Sequence, residues 1–288
     1  MTLDSPAKLN LFLRVLGKRK DGYHELVTVF HRISLRDTLA IKRRPQEGIR
    51  IFCSHLAVPL KDNLISRAFY LLKKKYHFSG GVNVRLVKRI PVGGGLGGGS
   101  SNAATFLLGM NRLFRLGLTQ KKLMHLGGQL GSDVPFFVSG MRHAMGLGRG
   151  EKIRPLPFKE KLWFLLFPSA QGLSTAKVYA QFHLPRPVSL TRVIRDAKIT
   201  PTFSENGNLV RPEKWWINDL TESAERIKPS LGKTRERLGG LHLGVCQMSG
   251  SGPTLFMVFR AREKAIQAHL KIRKRFKQIQ NILICHSF

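Results

Sequence analysis

The sequence predicts an α+β fold in two domains. Strand-like and helix-like segments follow one another without the regular alternation of a βαβ fold. A clear strand runs into six glycines in seven residues, and a helical pattern follows. The 288 residues correspond, at about 150 residues per domain, to two domains or one large one. A chain of this length buries roughly three-quarters of the surface that its unfolded form exposes. It needs neither disulfide nor metal to hold a core. Pro155 and Pro157 mark the expected boundary, giving domains 1–157 and 158–288.

Residues 7–16 partly alternate, with Leu9, Leu11 and Leu13 on one face and Lys8, Asn10 and Phe12 on the other, which predicts a strand. A polar turn over Lys18–Gly22 ends in Asp-Gly. Leu26–Ile33 and Thr38–Arg43 read as two further strands. Asp62-Asn63 begins a helix whose apolar spacing continues over 64–76. Gly80-Gly81 is a turn, and 82–90 alternate as a strand. A helix is expected from Ala103 to Phe114, and a second from an N-cap at Thr119 to about Leu130. Beyond the boundary, 162–167 read as a strand, 185–187 as a loop and 188–238 as mainly helical, broken at Pro201, Gly207 and Pro229. Short strands follow at Gly244–Met248 and Leu255–Phe259, and a basic amphipathic helix at 262–280.

Lys and Arg number 49 against 17 Asp and Glu, a net charge of +32. Such a surface attracts polyanions or phosphorylated small molecules without selecting among them. The three cysteines, Cys53, Cys246 and Cys285, form no C-x-x-C pair, which excludes redox and zinc-ribbon patterns and fits reduced thiols. No apolar run approaches the roughly 18 residues of a membrane helix, and Asp4, Lys8 and Arg14 interrupt any signal-peptide design. The expected setting is cytoplasmic.

The glycine cluster Gly93-Gly94-Gly95-Leu96-Gly97-Gly98-Gly99, followed by Ser100-Ser101-Asn102, carries the first functional signal. Without a Cβ the backbone approaches an anion closely. The free N–H groups and dipole of the following helix favour phosphate there. Three loop families compete. The Walker A pattern is absent, and Gly232-Lys233-Thr234 lacks its upstream glycine. A dinucleotide G-x-G-x-x-G falls on Gly93, Gly95 and Gly98, but no Asp or Glu lies between Asp62 and Asp133 to hold ribose hydroxyls. A protein-kinase loop lacks its H-R-D context. The same acid-free window leaves phosphates unopposed. Asp133 then stands alone before Val134-Pro135-Phe136-Phe137, either as a helix cap or ion-pair partner, or as a base for a substrate hydroxyl. His24-Glu25 is no zinc helix, because Thr28 stands where the second histidine would be.

Four stretches, P-A-K-L-N-L-F-L with D-G-Y-H-E in 6–25, P-V-G-G-G-L-G-G-G-S-S-N-A-A in 91–104, G-S-D-V-P-F-F in 131–137 and M-S-G-S-G-P-T in 248–254, resemble the GHMP kinases in order and spacing along essentially the whole chain. The first stretch resembles those members that phosphorylate a cytidine-diphosphate-linked methylerythritol in non-mevalonate isoprenoid biosynthesis.

The resemblance implies a nucleotide-binding N-terminal domain, a ferredoxin-like C-terminal domain and an active site in the cleft between them. It implies ATP with Mg²⁺, the loop Gly93–Ser101 around the phosphates and Asn102 at the start of its helix, with Asn63 and Lys88 near the adenosine. Asp133 is then the base, with Lys8 beside it holding it ionised and polarising the nucleophile, and Asn10 near the same centre. Tyr23 and His24 would take the cytosine, and Thr175 and Tyr179 complete that pocket. Gly250–Gly252 would close a further turn against the site. Ser100 or Ser101 would offer a hydroxyl to the metal. Asn218-Asp219-Leu220 departs from the family pattern at Thr221, where Glu is expected, and is assigned no site. The partners implied are small molecules, with no membrane and no specific nucleic acid. Two alternatives stand beside this. One is a GHMP kinase acting on a mevalonate-like, homoserine-like or sugar alcohol. The other, motivated by charge alone, is a nucleic-acid-binding protein on this scaffold.

Overall fold

A computed structural model describes residues 1–53, 62–157, 160–184, 189–191, 193, 217–279 and 281–288. The first half runs β1 (Thr2–Lys18), β2 (His24–Arg44), β3 (Gly48–Cys53), α1 (Leu64–Tyr76), β4 (Gly81–Val87), α2 (Gly98–Leu113), α3 (Gln120–Leu130), α4 (Val134–Val138), β5 (His143–Gly148) and β6 (Lys152–Pro155). The second runs β7 (Trp163–Phe167), α5 (Thr175–Ala180), α6 (Thr221–Ile227), α7 (Pro229–Gly239), β8 (Cys246–Met248), β9 (Leu255–Phe259), α8 (Arg262–Arg275) and β10 (Leu283–His286).

The six strands of the first half form one sheet in the order β3-β4-β2-β5-β6, with β1 along the other side of β2. Every pairing is antiparallel except β3 with β4. The long β2 makes this possible, because Leu26–His31 pair with β5 and Thr38–Arg44 with β4. The second sheet is antiparallel, β10-β7-β9-β8.

Among the described residues three apolar clusters follow. Phe69, Phe106 and Leu107 of the helices pack on Ile41 and Val84 of the first sheet. Leu9 and Ile33 meet Phe164 and Phe256 where the two sheets face each other. Leu165 and Met257 cover Ala268 and Ile272 of α8. β1 therefore has apolar neighbours on both faces, which is why its sequence alternates only in part. Lys8 and Asn10, each 3% exposed, must find polar partners inside.

The α+β expectation holds, and several boundaries shift for physical reasons. The two strands expected between 26 and 43 are one, β2. Pro6 pairs with Arg36 but Ala7 with Ile33, so Ser34 and Leu35 bulge and break the alternation. The strand expected to Ile90 stops at Val87, because the buried Asp37 carboxylate accepts the backbone N–H groups of Arg89 (2.7 Å) and Ile90 (2.9 Å). The helix expected from Ala103 begins five residues earlier, inside the glycines. Gly81 belongs to β4, the expected strand at 244 begins at Cys246, and the helix expected to 280 ends at Arg275. Of the helical expectation at 188–238, α6 and α7 are present. Residues 185–188, 192 and 194–216 lie outside the described residues, as do the expected breaks at Pro201 and Gly207. Elements β3, α4, β5, β6, α5 and β10 had no expectation.

His31 of β2 lies between the sheets, its Nε2 2.9 Å from Ser287 Oγ and its ring 5.4 Å from that of Phe164. Burial, and then the neighbouring His143, push its pKa down to about 3. The unfolded chain takes up a proton near pH 6.5 that the folded chain refuses. The contribution is therefore complete above pH 6.5 and is lost as pH falls toward 3, by about 1.4 kcal/mol per pH unit. Thermal melts of the wild type and of His31→Gln across pH 4–7 are expected to show a flatter acid-side decline in the variant.

Candidate active site

Lys8 and Asn10 stand two residues apart on β1 and so project from one face. The Lys8 Nζ donates to Asn10 Oδ1 and to Gly95 O (3.0 Å), and lies 3.3 Å from Asp133 Oδ2. Asn10 is fixed in turn, its Nδ2 donating to Thr28 Oγ1 and Thr28 Oγ1 to Phe12 O, both at 2.7 Å. Asp133 immediately precedes α4, its carboxylate making no capping hydrogen bond to the helix, and keeps 28% of its side chain open to solvent. A buried ammonium, a reachable carboxylate and a carbonyl of the glycine loop thus converge on one point.

The loop is shaped by close approach. Gly93, Gly95 and Gly97 have φ of 66°, 74° and 68°. A Cβ on Gly95 would sit 2.2 Å from Ser249 O, and one on Gly97 3.0 Å from Lys8. The Ser249 Oγ donates to Gly95 O at 3.0 Å, and Thr254 N to Gly94 O at 3.3 Å. The turn Gly250–Gly252 is thereby locked against the loop. Gly250 allows Asn10 and Lys8 to come within 2.9 Å and 3.4 Å of the place a Cβ would take. α2 starts at Gly98 with no acidic residue in its first turn. Its leading N–H groups lack helical partners, as at any helix start.

These elements wall a cavity of about 1090 Å³, slightly above the roughly 300–1,000 Å³ usual for small-molecule sites. Both halves of the chain contribute to it. Asp133, Lys8, Asn10, Tyr23, His24, Thr175 and Tyr179 all line it, as do Gly93 to Ser100, Asn102, Asn63 and Lys88. Ser101 does not. It is fully buried and its hydroxyl accepts from Ser5 at 2.8 Å, because one step along α2 turns its side chain toward β1. Lys88 is ion-paired with the buried Asp37 and donates to Asn102 Oδ1 at 3.3 Å. Asn102 Nδ2 donates to Asp37 and to Ser5 Oγ, both at 2.9 Å. Asn63 caps α1 through Ile65 N at 2.9 Å.

At the other end of the cavity the His24 ring stacks on Tyr179, centroids 5.0 Å apart, with Phe182 at its edge. Burial, then Lys18, lower the His24 pKa. The ring is neutral at pH 7, with one donor and one acceptor nitrogen. Burial, then the Asp133 charge, raise the Tyr179 phenol. The Arg149 guanidinium lies 4.7 Å over the exposed Tyr23 ring. Thr175 Oγ1 is 2.8 Å from Ser251 Oγ.

Sequence reasoning missed several of these residues. Asp37 ties Lys88, the strand exit and α2 together, yet a lone strand aspartate gives no signal. Arg149 is delivered by the pairing of Gly148 with Leu26, a tertiary fact with no local trace. Phe182, three residues after Tyr179, was within reach of helical spacing. Asn218, assigned no site, donates to Met248 O and Gly250 O at 2.8 Å each, while Asp219 accepts from Val15 N at 2.8 Å. The pair secures the Gly250–Gly252 turn to β1. Among the described residues no group of three or more His, Cys, Asp or Glu is placed to hold a metal ion. None of their helices is long and apolar enough to cross a membrane.

Comparison with known proteins adds the following. Residues 63–141 match the GHMP kinases N terminal domain, and 204–278 match GHMP kinases C terminal. A 4-diphosphocytidyl-2-C-methyl-D-erythritol kinase of Marinobacter nauticus is 39% identical over 267 residues, covering 92% of this chain and 88% of the relative. A crystal structure of 4-(cytidine 5'-diphospho)-2C-methyl-D-erythritol kinase superposes with a TM-score of 0.78 at 32% identity, each chain fully covered. Homoserine kinase from Cytophaga hutchinsonii superposes with a TM-score of 0.68 at 16% identity, covering 100% of this chain and 94% of its own, which is a likeness of fold.

Gly95→Ala combines a left-handed backbone with a Cβ 2.2 Å from Ser249 O. We expect ATP to bind this variant at least about tenfold more weakly by calorimetry, with a lower Tm, because the loop and the Gly250 turn must separate.

Proposed function

Because the chain belongs to the 4-diphosphocytidyl-2-C-methyl-D-erythritol kinase family of GHMP kinases, we propose that it transfers the γ-phosphoryl group of ATP to the 2-hydroxyl of 4-diphosphocytidyl-2-C-methyl-D-erythritol, in isoprenoid precursor biosynthesis. The observation that carries this reading is the Lys8–Asp133 pair, 3.3 Å apart, against the glycine loop. The Asp133 carboxylate takes the proton of the acceptor hydroxyl as its oxygen attacks the γ-phosphorus and ADP leaves. Lys8 compensates the carboxylate charge and polarises the same oxygen. The donors of the first turn of α2 stabilise charge on the phosphates. Holding both reactants in line removes roughly 7–11 kcal/mol of the bimolecular barrier, and base catalysis adds about 10²–10⁴-fold.

Asn63 and Lys88 stand at the adenosine end of this arrangement. Tyr23 and Tyr179 offer ring faces to the cytosine, and the neutral His24 offers a donor and an acceptor for its edge, with Thr175 beside them. A Mg²⁺ ion bound with ATP would supply charge neutralisation on the phosphate oxygens. Ser100, whose residue lines the cavity, is the loop hydroxyl suited to it, while Ser101 is spent on Ser5. In this reading residues 1–157 and 158–288 are the two domains, supported by the confinement of the first sheet to 2–155 and the second to 163–286. The three free thiols support a cytoplasmic setting.

Asp133→Asn is expected to bind ATP and the cytidine substrate as the wild type does, by calorimetry, and to lose about 10²-fold or more of kcat in an ADP-release assay. Wild-type turnover would remove Asp133 from the chemistry. The +32 charge is expected to assist capture of two anionic substrates. A kcat/KM that falls with added salt at constant kcat supports this, and one indifferent to salt contradicts it.

A further inference from the structure

Arg32 is a half-buried cation for which the reaction above has no use. Among the described residues no carboxylate pairs with it, and its Nε has no hydrogen-bond partner. Desolvating a charge is costly unless something compensates. Burial lowers its pKa to about 10, which still leaves it charged at neutral pH. The compensation comes from one element. Its guanidinium donates to Phe137 O at 3.1 Å and approaches Phe136 O at 3.5 Å, in the last turn of α4. It also lies 5.6 and 6.0 Å over the rings of those residues.

Arg32 is the direct register partner of Lys8 across β1 and β2. Two neighbouring strand positions therefore send cations to the two ends of the same five-residue helix, Lys8 to Asp133 at its start and Arg32 to the carbonyls at its finish. A single turn does not hold itself in water, so the placement of Asp133 depends on what grips α4. Gln120 takes the Val138 and Ser139 carbonyls, and Ser139 Oγ takes that of Phe136. Among the described residues Arg32 is the side chain that takes Phe137 O. The Phe137 ring lies 3.1 Å from where a Cβ on Gly97 would be, so the position of this residue also sets the spacing between α4 and the glycine loop.

We propose that Arg32 is a positioning residue for the reaction, holding α4 so that the Asp133 carboxylate stays aligned with the phosphate loop. The proposal rests on Asp133 being the base. A displacement of about 1 Å at a reacting group costs on the order of 10²-fold in rate, so a modest loosening of α4 is visible in kcat.

Arg32→Gln and Arg32→Lys are to be compared with the wild type in steady-state assays normalised to folded protein, with melting curves alongside. The expected result is a kcat lowered about tenfold or more in Arg32→Gln and by less in Arg32→Lys, which keeps the charge but not the two-pronged donor. KM for both substrates should stay within about twofold. Wild-type kcat per folded molecule, or a loss carried by KM, overturns the proposal. Should Arg32→Gln fail to fold, Arg32→Lys decides by the same criteria. Full turnover in Asp133→Asn would overturn the base and this inference with it, whereas an inactive Asp133→Asn beside fully active Arg32 variants overturns this inference alone.

Discussion

The Nζ of Lys8 is the atom on which the rest of the site depends. It sits on a strand with apolar neighbours on both faces, almost wholly out of water. A charge so placed must be answered by polar groups, and the answers come from three directions: Asn10 on its own strand, Gly95 O of the glycine loop and Asp133 ahead of α4. Satisfying one ammonium therefore fixes three segments far apart in sequence relative to one another. The glycines around it follow from the same constraint. Gly97 and Gly250 stand where a Cβ would press on Lys8 or Asn10, and Gly95 stands where the loop meets the turn after β8. The glycine loop, Asp133 and the Gly250–Gly252 turn form one assembly.

A second buried charge orders the far side of the loop. Asp37 draws Lys88, two backbone N–H groups and Asn102 to itself. It ends β4 and aims the chain into the glycines. The site is thus built between a buried cation and a buried anion, each saturated by hydrogen bonds. Such arrangements favour rigidity over net stabilisation, and rigidity is what a reaction dominated by positioning requires.

Much of this was legible in the sequence, for reasons that differ by residue. The glycine cluster was readable because strand, loop and helix are contiguous, and Thr119 and Asn63 because a cap is a local hydrogen bond. Lys8, by contrast, reads as an ordinary strand lysine, and only the surrounding motif singles it out. Arg32, Asp37 and Arg149 carried no signal at all. Their partners arrive through the pairings of β2 with β1, β4 and β5, and long-range pairing leaves no mark on the local pattern. The long β2 reads as two strands in the sequence because the bulge at Ser34 and Leu35 breaks the alternation. Ser101 was one residue out of phase with the cavity, a distinction of about 100° around a helix that depends on where α2 begins.

The most direct test of the account is phosphorus NMR of the pure protein with Mg-ATP and 4-diphosphocytidyl-2-C-methyl-D-erythritol, with mevalonate, homoserine and galactose as parallel acceptors. The expected result is a new phosphomonoester signal, with stoichiometric ADP, from the cytidine substrate alone. ATP bound without transfer to that acceptor, or transfer to one of the other alcohols instead, would contradict it.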